Sequence, residues 1–409
     1  MFSIEGLIVA KDKPYRGRIE IDQSSGLITK VGNPTGMADI VLHNELIFPG
    51  FIDLHVHARE DTSHTQEYKE DFKTAGVAAI NGGIVAYAEM PNNPIPPVDD
   101  ISYDSKRALA DKSIVPILLY AGIGSKTMPL RKNVPYKVFM GKSIGDMFFT
   151  THEELEEAIV KYRGKNISFH CEDPIVMDKA SNASTHEDRR PVEAELSAVD
   201  IALKLIEKYK LKGKICHCSS VLGIQKILEA KKHGVRVTVE VTPHHLFFDE
   251  TMLENNNRIL FQVNPPIRQT KENRLGLIEM LRNGDIDYLA TDHAPHTKEE
   301  KEKGMSGLTH LDTYGAFVTW LFKEHNFTEN NIKRVCSSNP SIFMSEFIND
   351  KYGEIKEGCI GSLSIIDMNK PITITSSDLK TKNGWSPFLG MEFPGNCVMT
   401  IIKGKVYAK

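Results

Sequence analysis

The chain has 409 residues, of which 41% are apolar and 25% charged, and its formal net charge is −4. This composition is ordinary for a soluble globular protein and excludes a disordered, collagen-like or coiled-coil chain. The slightly negative charge provides no basic field for nucleic acid, so we expect no nucleic-acid partner. No apolar run approaches the ~20 residues that cross a bilayer, and we expect neither a membrane segment nor a signal peptide.

Both ends of the chain carry β-strand patterns. The patterned segments are residues 18–22, 27–31, 361–367 and 398–405. The first two flank a Ser24-Ser25-Gly26 turn, and alternation around such a turn predicts a hairpin. We therefore predict that residues 1–49 and 346–409 form the two parts of one small β-sheet domain.

Between these ends, over residues 50–345, eight short apolar runs alternate with amphipathic helical patterns. The runs cover residues 51–57, 84–90, 115–120, 136–140, 167–170, 214–217, 235–241 and 287–292. Residues 151–163 illustrate the helices, with apolar residues at helical spacing and with Thr151 and Glu154 placed for a capping box. The alternation predicts an α/β fold, a (β/α)8 TIM-type barrel. A doubly wound open sheet has the same periodicity and is the alternative.

Side chains that could bind or bridge metals lie on five of these runs, mostly at or near their C-terminal ends. They are His55, His57, Lys137, His170, His217 and Asp292. His55 and His57 are two residues apart on one strand, so their imidazoles point to the same face. Barrel active sites lie on the C-terminal rim, and an open sheet would spread these residues apart. The set therefore favours a closed barrel with a site for Zn²⁺ or a similar divalent ion.

Lys137 is the unusual member, because an ammonium group has three donors and no acceptor and cannot bind a cation. If the amine adds CO₂, the resulting carbamate (N6-carboxylysine) has acceptor oxygens that could bridge two metals about 3.5–4 Å apart. The alternative is a lysine paired with a nearby carboxylate. Lys142 is a rival for carbamylation, but Lys137 lies within the apolar run, where burial favours the uncharged, reactive amine.

Six motifs resemble the amidohydrolase superfamily. They are FPGFIDLHVH at 48–57, MPNN at 90–93, EVTPHHL at 240–246, VNPPIR at 263–268, ATDHAPH at 290–296 and GWSPF at 384–388. Within the first, the run from His55 to Glu60 resembles the cyclic amidohydrolases, and the dihydroorotase family in particular. The resemblance extends in order over nearly the whole chain, from about Gly6 to Val406.

The resemblance implies a two-metal centre. His55 and His57 would hold a first, more buried ion. His170 and His217 would hold a second, and carbamylated Lys137 would bridge the two. We expect the ions to be divalent, with zinc the favoured identity.

The resemblance also implies the catalytic and substrate-binding residues. Asp292 would bind the first metal and act as the catalytic proton carrier. Arg59 and Asn92 would grip the α-carboxylate of the substrate, since a guanidinium presents a fork of donors matched to a carboxylate. His296 would assist them, and Asn264 would also bind the substrate.

The implied reaction is reversible hydrolysis of L-dihydroorotate to N-carbamoyl-L-aspartate, a step of de novo pyrimidine biosynthesis. Two metals would activate water, and Asp292 would pass its proton to the leaving nitrogen. The first alternative is an allantoinase or a dihydropyrimidinase (hydantoinase), whose rings lack the carboxylate that Arg59 would bind. A catalytically silent scaffold would have lost ligands, and a one-metal deaminase-type enzyme would not need carbamylated Lys137.

Two departures from the family pattern bear on substrate binding. The family usually continues after the arginine with Glu-Pro-Gly, whereas this chain has Glu60-Asp61-Thr62. Losing the turn-setting Pro-Gly pair predicts a differently shaped loop behind Arg59. The second residue of Asn92-Asn93 is often threonine in the family, which leaves open which asparagine faces the substrate.

Other polar residues near the rim are interpreted as structural. His244 and His245 end the seventh run, where no ligand is expected. Cys216 and Cys218 flank His217 and would point to the opposite strand face, so we expect both to pack inside. An irregular strand end would instead bring Cys216 toward the metals.

Six cysteines without a Cys-x-x-Cys pair indicate reduced thiols, and we expect a cytoplasmic protein. The resemblance implies a small-molecule substrate and a homodimer, which is common in the family. The sequence leaves open whether an aspartate transcarbamoylase is a partner. Residues 298–303, which follow His296 closely, are a candidate for a loop that closes over the substrate.

Overall fold

A computed structural model describes residues 1–10, 13–141, 147–254, 258–268 and 270–408. The strands are β1 Phe2–Ile8, β2 Tyr15–Asp22, β3 Leu27–Gly32, β4 Ile40–Pro49, β5 Phe51–Val56, β6 Ile84–Glu89, β7 Ile117–Leu119, β8 Ala121–Gly122, β9 Tyr136–Phe139, β10 Asn166–His170, β11 Lys212–Ile215, β12 Val237–Val241, β13 Tyr288–Leu289, β14 Leu363–Asp367, β15 Ile372–Thr373, β16 Glu392–Phe393, β17 Asn396–Ile402 and β18 Lys405–Ala408.

The helices connect the strands of the central region. They are α1 Phe72–Gly82, α2 Asp100–Ala110, α3 His152–Ile159, α4 Pro174–Lys179, α5 Val192–Lys208, α6 Val221–Lys232, α7 Pro243–Phe247, α8 Glu250–Glu254, α9 Lys271–Asn283, α10 Lys298–Glu302, α11 Tyr314–His325, α12 Glu329–Lys333 and α13 Asn339–Ser345. Within the described ranges, none of them combines the length and apolar character needed to cross a bilayer.

The central strands form a closed parallel barrel. β5 to β7 pair in parallel in chain order, as do β8 to β13, and β7 and β8 are one strand position interrupted at Tyr120. The barrel closes where Val56 bridges His293, and the His57 N–H donates to the His293 carbonyl at 2.8 Å. All eight predicted runs contain barrel strands. The closed barrel is therefore confirmed, and the open sheet is excluded.

The two ends of the chain share one sheet. Its strand order is β18-β17-β14-β4-β1-β2-β3, so the predicted N-terminal hairpin lies at one edge and the C-terminal hairpin at the other. The side chains of this sheet form a separate apolar core. Its buried residues include Ile4, Ile19, Leu363 and Ile401. The predicted union of the termini is confirmed, and the domain limits at 49/50 and 345/346 stay predictions.

The helix predicted at residues 151–163 is α3 followed by a 3-10 turn at Val160–Tyr162. Its N-cap is Thr151, whose hydroxyl accepts the Glu154 N–H at 3.2 Å, as predicted. The reciprocal bond differs, because the Glu154 carboxylate accepts the backbone N–H of Thr150 at 3.2 Å. Only half of the predicted capping box is therefore formed.

A buried carboxylate fastens the seam between the first and last barrel strands. Asp53, in β5, accepts the backbone N–H groups of His55 at 3.1 Å and Thr291 at 3.0 Å, and it also accepts the Thr291 hydroxyl. Burial raises the pKa of Asp53 to about 7. These bonds lie directly below the rim that carries His55 and the segment after β13.

We expect Thr291→Val to lower the free energy of unfolding by about 1–3 kcal/mol, since it leaves an oxygen of buried Asp53 without its hydroxyl donor. Thr238→Val, the same substitution on the half-buried barrel strand β12, is the control. Urea unfolding followed by circular dichroism measures both. Equal stability of the two variants would contradict a special role for the seam.

Candidate active site

The six predicted ligands converge at the C-terminal rim and in the lumen just below it, and all are buried. The Nε2 atoms of His55 and His57 lie 3.2 and 3.1 Å from Asp292 Oδ1. His170 Nδ1 lies 2.9 Å from His217 Nε2. His55, His217 and Asp292 together offer three ligand atoms within 4.8 Å of one another. The two halves of the predicted centre are therefore adjacent, and the group has the composition and spacing to hold a metal ion.

Several rim residues adopt left-handed backbone conformations. The φ angles are +63° at Arg59, +34° at His217 and +48° at Asp292. Such angles are unfavourable for residues other than glycine and concentrate at functional sites. The irregular backbone begins where the strands end, since β11 stops at Ile215 and β13 at Leu289. These bends decide where the side chains at the rim point.

Lys137 lies in the barrel lumen and is fully buried. Its Nζ is 2.9 Å from the thiol sulfur of Cys216. Within the described ranges, no carboxylate oxygen forms an ion pair with this nitrogen, so the alternative of a lysine–carboxylate pair has no support. An ammonium has no acceptor for a metal ion, whereas a carbamate on this nitrogen would supply acceptor oxygens. The rival, Lys142, lies outside the described residues.

The two cysteines beside His217 have different surroundings. Cys218 is buried, as predicted, and its thiol faces Glu195. Cys216 is also buried, but its thiol contacts the amine of Lys137. The irregular strand end considered in the sequence analysis is present at His217, and Cys216 approaches the site.

Two carboxylates behind the histidines were missed by the sequence analysis. Glu240 contacts His55 Nδ1, and Glu172 Oε2 lies 2.8 Å from His170 Nε2. Each has a cationic partner, Lys214 at 2.5 Å from Glu240 and Arg190 beside Glu172. An acidic residue inside an apolar strand run, as at 240, was a usable signal. Glu172 lies two residues after His170, and this spacing was a weaker signal because β10 ends at His170.

Burial and nearby cations lower the pKa of His55, His57 and His217. Burial, with the nearby charges of Lys137 and Arg59, lowers the pKa of His57 well below its usual value. Burial and surrounding cationic groups do the same for His55 and His217. Burial raises the pKa of Asp292 to about 7. Neutral imidazoles have free lone pairs at physiological pH, which is the form that binds metals.

The predicted substrate residues line one cavity of about 440 Å³ that opens onto these histidines. They are Arg59, Asn92, Asn264 and His296. Arg59 donates from Nε to the Pro295 carbonyl at 3.2 Å, and its terminal nitrogen lies 3.2 Å from His296 Nε2. In the described part of the chain, the Oδ1 atoms of Asn92 and Asn264 have no hydrogen-bond partner. The cavity thus combines a buried cation with unpaired amide oxygens.

The asparagine pair and the altered loop both have definite positions. Asn92 lines the cavity, whereas Asn93 accepts a hydrogen bond from the Lys106 amine, so Asn92 is the residue that can face a substrate. The Asp61 carboxylate accepts the backbone N–H groups of Ser63 at 2.7 Å and Ile95 at 2.9 Å. This side chain shapes the loop in place of the missing Pro-Gly pair, and Arg59 still reaches the cavity.

Other predicted features lie around the cavity. His244 and His245 are buried and bond to His310 at 3.1 Å and to the Pro265 carbonyl at 3.0 Å, which agrees with structural roles. The segment after β13 contributes residues 304–307 to the cavity wall, just beyond the predicted 298–303 stretch. The Lys301 amine anchors this wall by donating to the Met305 carbonyl at 2.6 Å.

Comparisons with known proteins agree with the motifs and the fold. Residues 46–407 match the amidohydrolase family model. A dihydroorotase from Thermococcus kodakarensis is 33% identical over 409 residues, covering 98% of this chain and 93% of the relative. A dihydroorotase from Staphylococcus aureus strain Mu50 is 32% identical over 397 residues, covering 91% of this chain and 90% of the relative.

Solved structures share the architecture at lower sequence identity. An L-hydantoinase (dihydropyrimidinase) from Arthrobacter aurescens has a TM-score of 0.89 at 24% identity, covering 100% of this chain and 96% of the other. A D-hydantoinase (dihydropyrimidinase) from Thermus sp. has a TM-score of 0.85 at 21% identity, with coverages of 100% and 95%. With its barrel, its motifs and its relatives in agreement, the chain belongs to the amidohydrolase family.

Proposed function

We propose that the protein is a dihydroorotase, which interconverts L-dihydroorotate and N-carbamoyl-L-aspartate in de novo pyrimidine biosynthesis. The observation that carries this proposal is the buried Arg59 guanidinium in the same cavity as the histidine cluster. Dihydroorotate bears a carboxylate, and a guanidinium fork matches a carboxylate. The dihydroorotase relatives at about one-third identity support the same substrate.

The alternative is hydrolysis of an uncarboxylated ring, as in a hydantoinase or an allantoinase. The hydantoinase structures resemble this chain in fold at identities of 24% and 21%, which does not extend to the substrate. An uncharged ring would offer no matched acceptor to the buried Arg59 guanidinium. A carboxylate accepts its fork of donors, so the cavity favours an anionic substrate.

The metal centre we propose uses the histidines in pairs. His55, His57 and Asp292 would hold one divalent ion, and His170 and His217 a second. Imidazole and carboxylate ligands suit zinc. When bound, two such ions supply Lewis-acid activation of water and of the amide carbonyl. We propose that carbamylated Lys137 completes the ligand set, since the fully buried amine has no carboxylate partner among the described residues.

The remaining chemistry belongs to the protein's own side chains. Asp292 Oδ1, close to both His55 and His57, would take the proton of the attacking water and deliver it to the leaving ring nitrogen. Arg59 and Asn92 would bind the α-carboxylate and fix the orientation of the ring. His296 supports Arg59 through their 3.2 Å contact, and Asn264 would bind the ring from the same cavity.

Turnover of three rings tests the proposed reaction. We expect the purified zinc-loaded protein to open L-dihydroorotate, and to open allantoin and dihydrouracil far more slowly, because only the first carries the carboxylate for Arg59. Loss of ring absorbance measures all three. Preferred turnover of an uncarboxylated ring would remove Arg59 from substrate binding, and inactivity on every ring with two metals bound would refute the proposed reaction.

We expect Lys137→Ala to lose one of two bound metals and most activity, because the bridging oxygens disappear with the lysine. Short carboxylic acids such as acetate should restore part of both. Metal content by mass spectrometry and dihydroorotate turnover are the measurements. Lys142→Ala is the matched control, and loss of metal in that variant instead of Lys137→Ala would reassign the modified lysine.

We expect Arg59→Met to lower kcat/KM for dihydroorotate roughly 10- to 100-fold, mainly through KM, since a hydrogen bond to a charged group contributes about 1.5–3 kcal/mol. Metal content should be unchanged, because Arg59 is not a ligand. Arg236→Met, on the exposed side of the barrel, is the control. An unchanged KM in Arg59→Met would show that the guanidinium does not contact the substrate.

A further inference from the structure

One carboxylate touches both halves of the proposed metal centre. Glu240, in β12, is fully buried. Its Oε1 contacts His55 Nδ1 and accepts the backbone N–H of His217 at 3.2 Å. Its Oε2 accepts the Lys214 amine at 2.5 Å. Glu240 Oε1 therefore contacts both His55, a proposed ligand of the first metal, and His217, a proposed ligand of the second.

We propose that Glu240, which is ion-paired with Lys214, is a positioning residue that orients one ligand of each proposed metal site. It fixes the ring of His55 and the backbone of His217 from behind, and it does not itself face the substrate cavity. The inference rests on the proposed two-metal function and gives Glu240, the first residue of the EVTPHHL motif, a role that the sequence analysis did not assign.

The contact with Glu240 fixes the tautomer of His55. A neutral imidazole carries one N–H and one lone pair. With Nδ1 donating to Glu240, the lone pair resides on Nε2, which points to Asp292 at 3.2 Å. Carboxylates behind metal-binding histidines fix ring orientation and tautomer in this way. Without an acceptor at this place, either nitrogen of His55 could carry the proton.

Glu240 also holds the backbone of His217. Its φ angle of +34° is unfavourable for a residue with a side chain. The N–H of His217 is directed at Glu240 Oε1, which gives this buried donor its hydrogen-bond acceptor. The bond therefore stabilises the bend that places His217 Nε2 at 2.9 Å from His170 Nδ1.

Lys214 compensates the negative charge of the buried Glu240 carboxylate. Its amine contacts Glu240 and the Leu54 carbonyl, and it lies 5.5 Å from the rings of Tyr120 and Phe343. Removing either charge alone would leave the other buried and uncompensated, which is strongly destabilising. A test of positioning must therefore change both residues together.

The test compares two double variants that both remove the charge pair. E240Q/K214M keeps an oxygen acceptor for His55 and His217, whereas E240L/K214M has none. Zinc affinity is measured by competition with a chromophoric chelator, and the bound zinc is counted by mass spectrometry. We expect E240L/K214M to bind zinc at least about tenfold more weakly, in the range seen when such partners are lost, and E240Q/K214M to stay near the wild type.

Two results would overturn the inference. One is wild-type zinc affinity in folded E240L/K214M, and the other is an equal loss in both double variants, which would assign the effect to charge. The control is D249L/R274M, which removes another mostly buried ion pair (3.1 Å) that touches none of the histidines. Reduced zinc affinity in that control would assign the effect to general destabilisation.

A proton NMR measurement covers the case in which E240L/K214M does not fold. The zinc-loaded wild type should show a low-field imidazole N–H signal from His55 bonded to a carboxylate. This signal should move upfield in E240Q/K214M, where the acceptor is neutral, and an unmoved signal would contradict the inference. Wild-type protein that binds fewer than two zinc ions would refute the proposed centre, whereas two bound ions with unaffected variants would refute only the role of Glu240.

Discussion

The site depends on the closure of the barrel between its first and last strands. His57 donates its backbone N–H to the His293 carbonyl, and Asp53 fastens the Thr291 backbone beneath them. This seam brings residues more than two hundred positions apart into contact, so that Asp292 lies within hydrogen-bond distance of His57. Parallel strands present their C-terminal ends at one rim, and closure turns that rim into a single concave site.

Burying charged side chains costs free energy, and nearby opposite charges offset this cost around the site. Each carboxylate behind a histidine has its own cation, Lys214 for Glu240 and Arg190 for Glu172. Burial opposes ionisation of Glu172, but the charge of Arg190 and the bond from His170 lower its pKa to about 2. Lys137 is the exception, because among the described residues it has no carboxylate partner. That exception is the physical reason for proposing a modification of this lysine.

The fold alone does not select a substrate within this family. Two hydantoinase structures match the fold of this chain with TM-scores of 0.85 and 0.89. The proposed preference for an anionic ring rests instead on the residues of the cavity wall, Arg59 first among them. The loop behind it lacks the usual Pro-Gly pair, yet the Asp61 carboxylate makes the turn with its own hydrogen bonds.

The sequence by itself determined the strand–helix alternation, the shared sheet of the two ends and the six residues that meet at the rim. Periodicity and strand-end position carry this information, because side-chain direction along a strand alternates and barrel strands end on one face. The sequence did not pair Glu240 with His55, Glu172 with His170 or Cys216 with Lys137. The first and last of these pairs join residues distant in the chain, Glu172 follows His170 by two residues beyond the end of its strand, and left-handed bends such as that at His217 have no local signature. Only the tertiary structure decided them, because strand register and closure set which side chains meet in the barrel lumen.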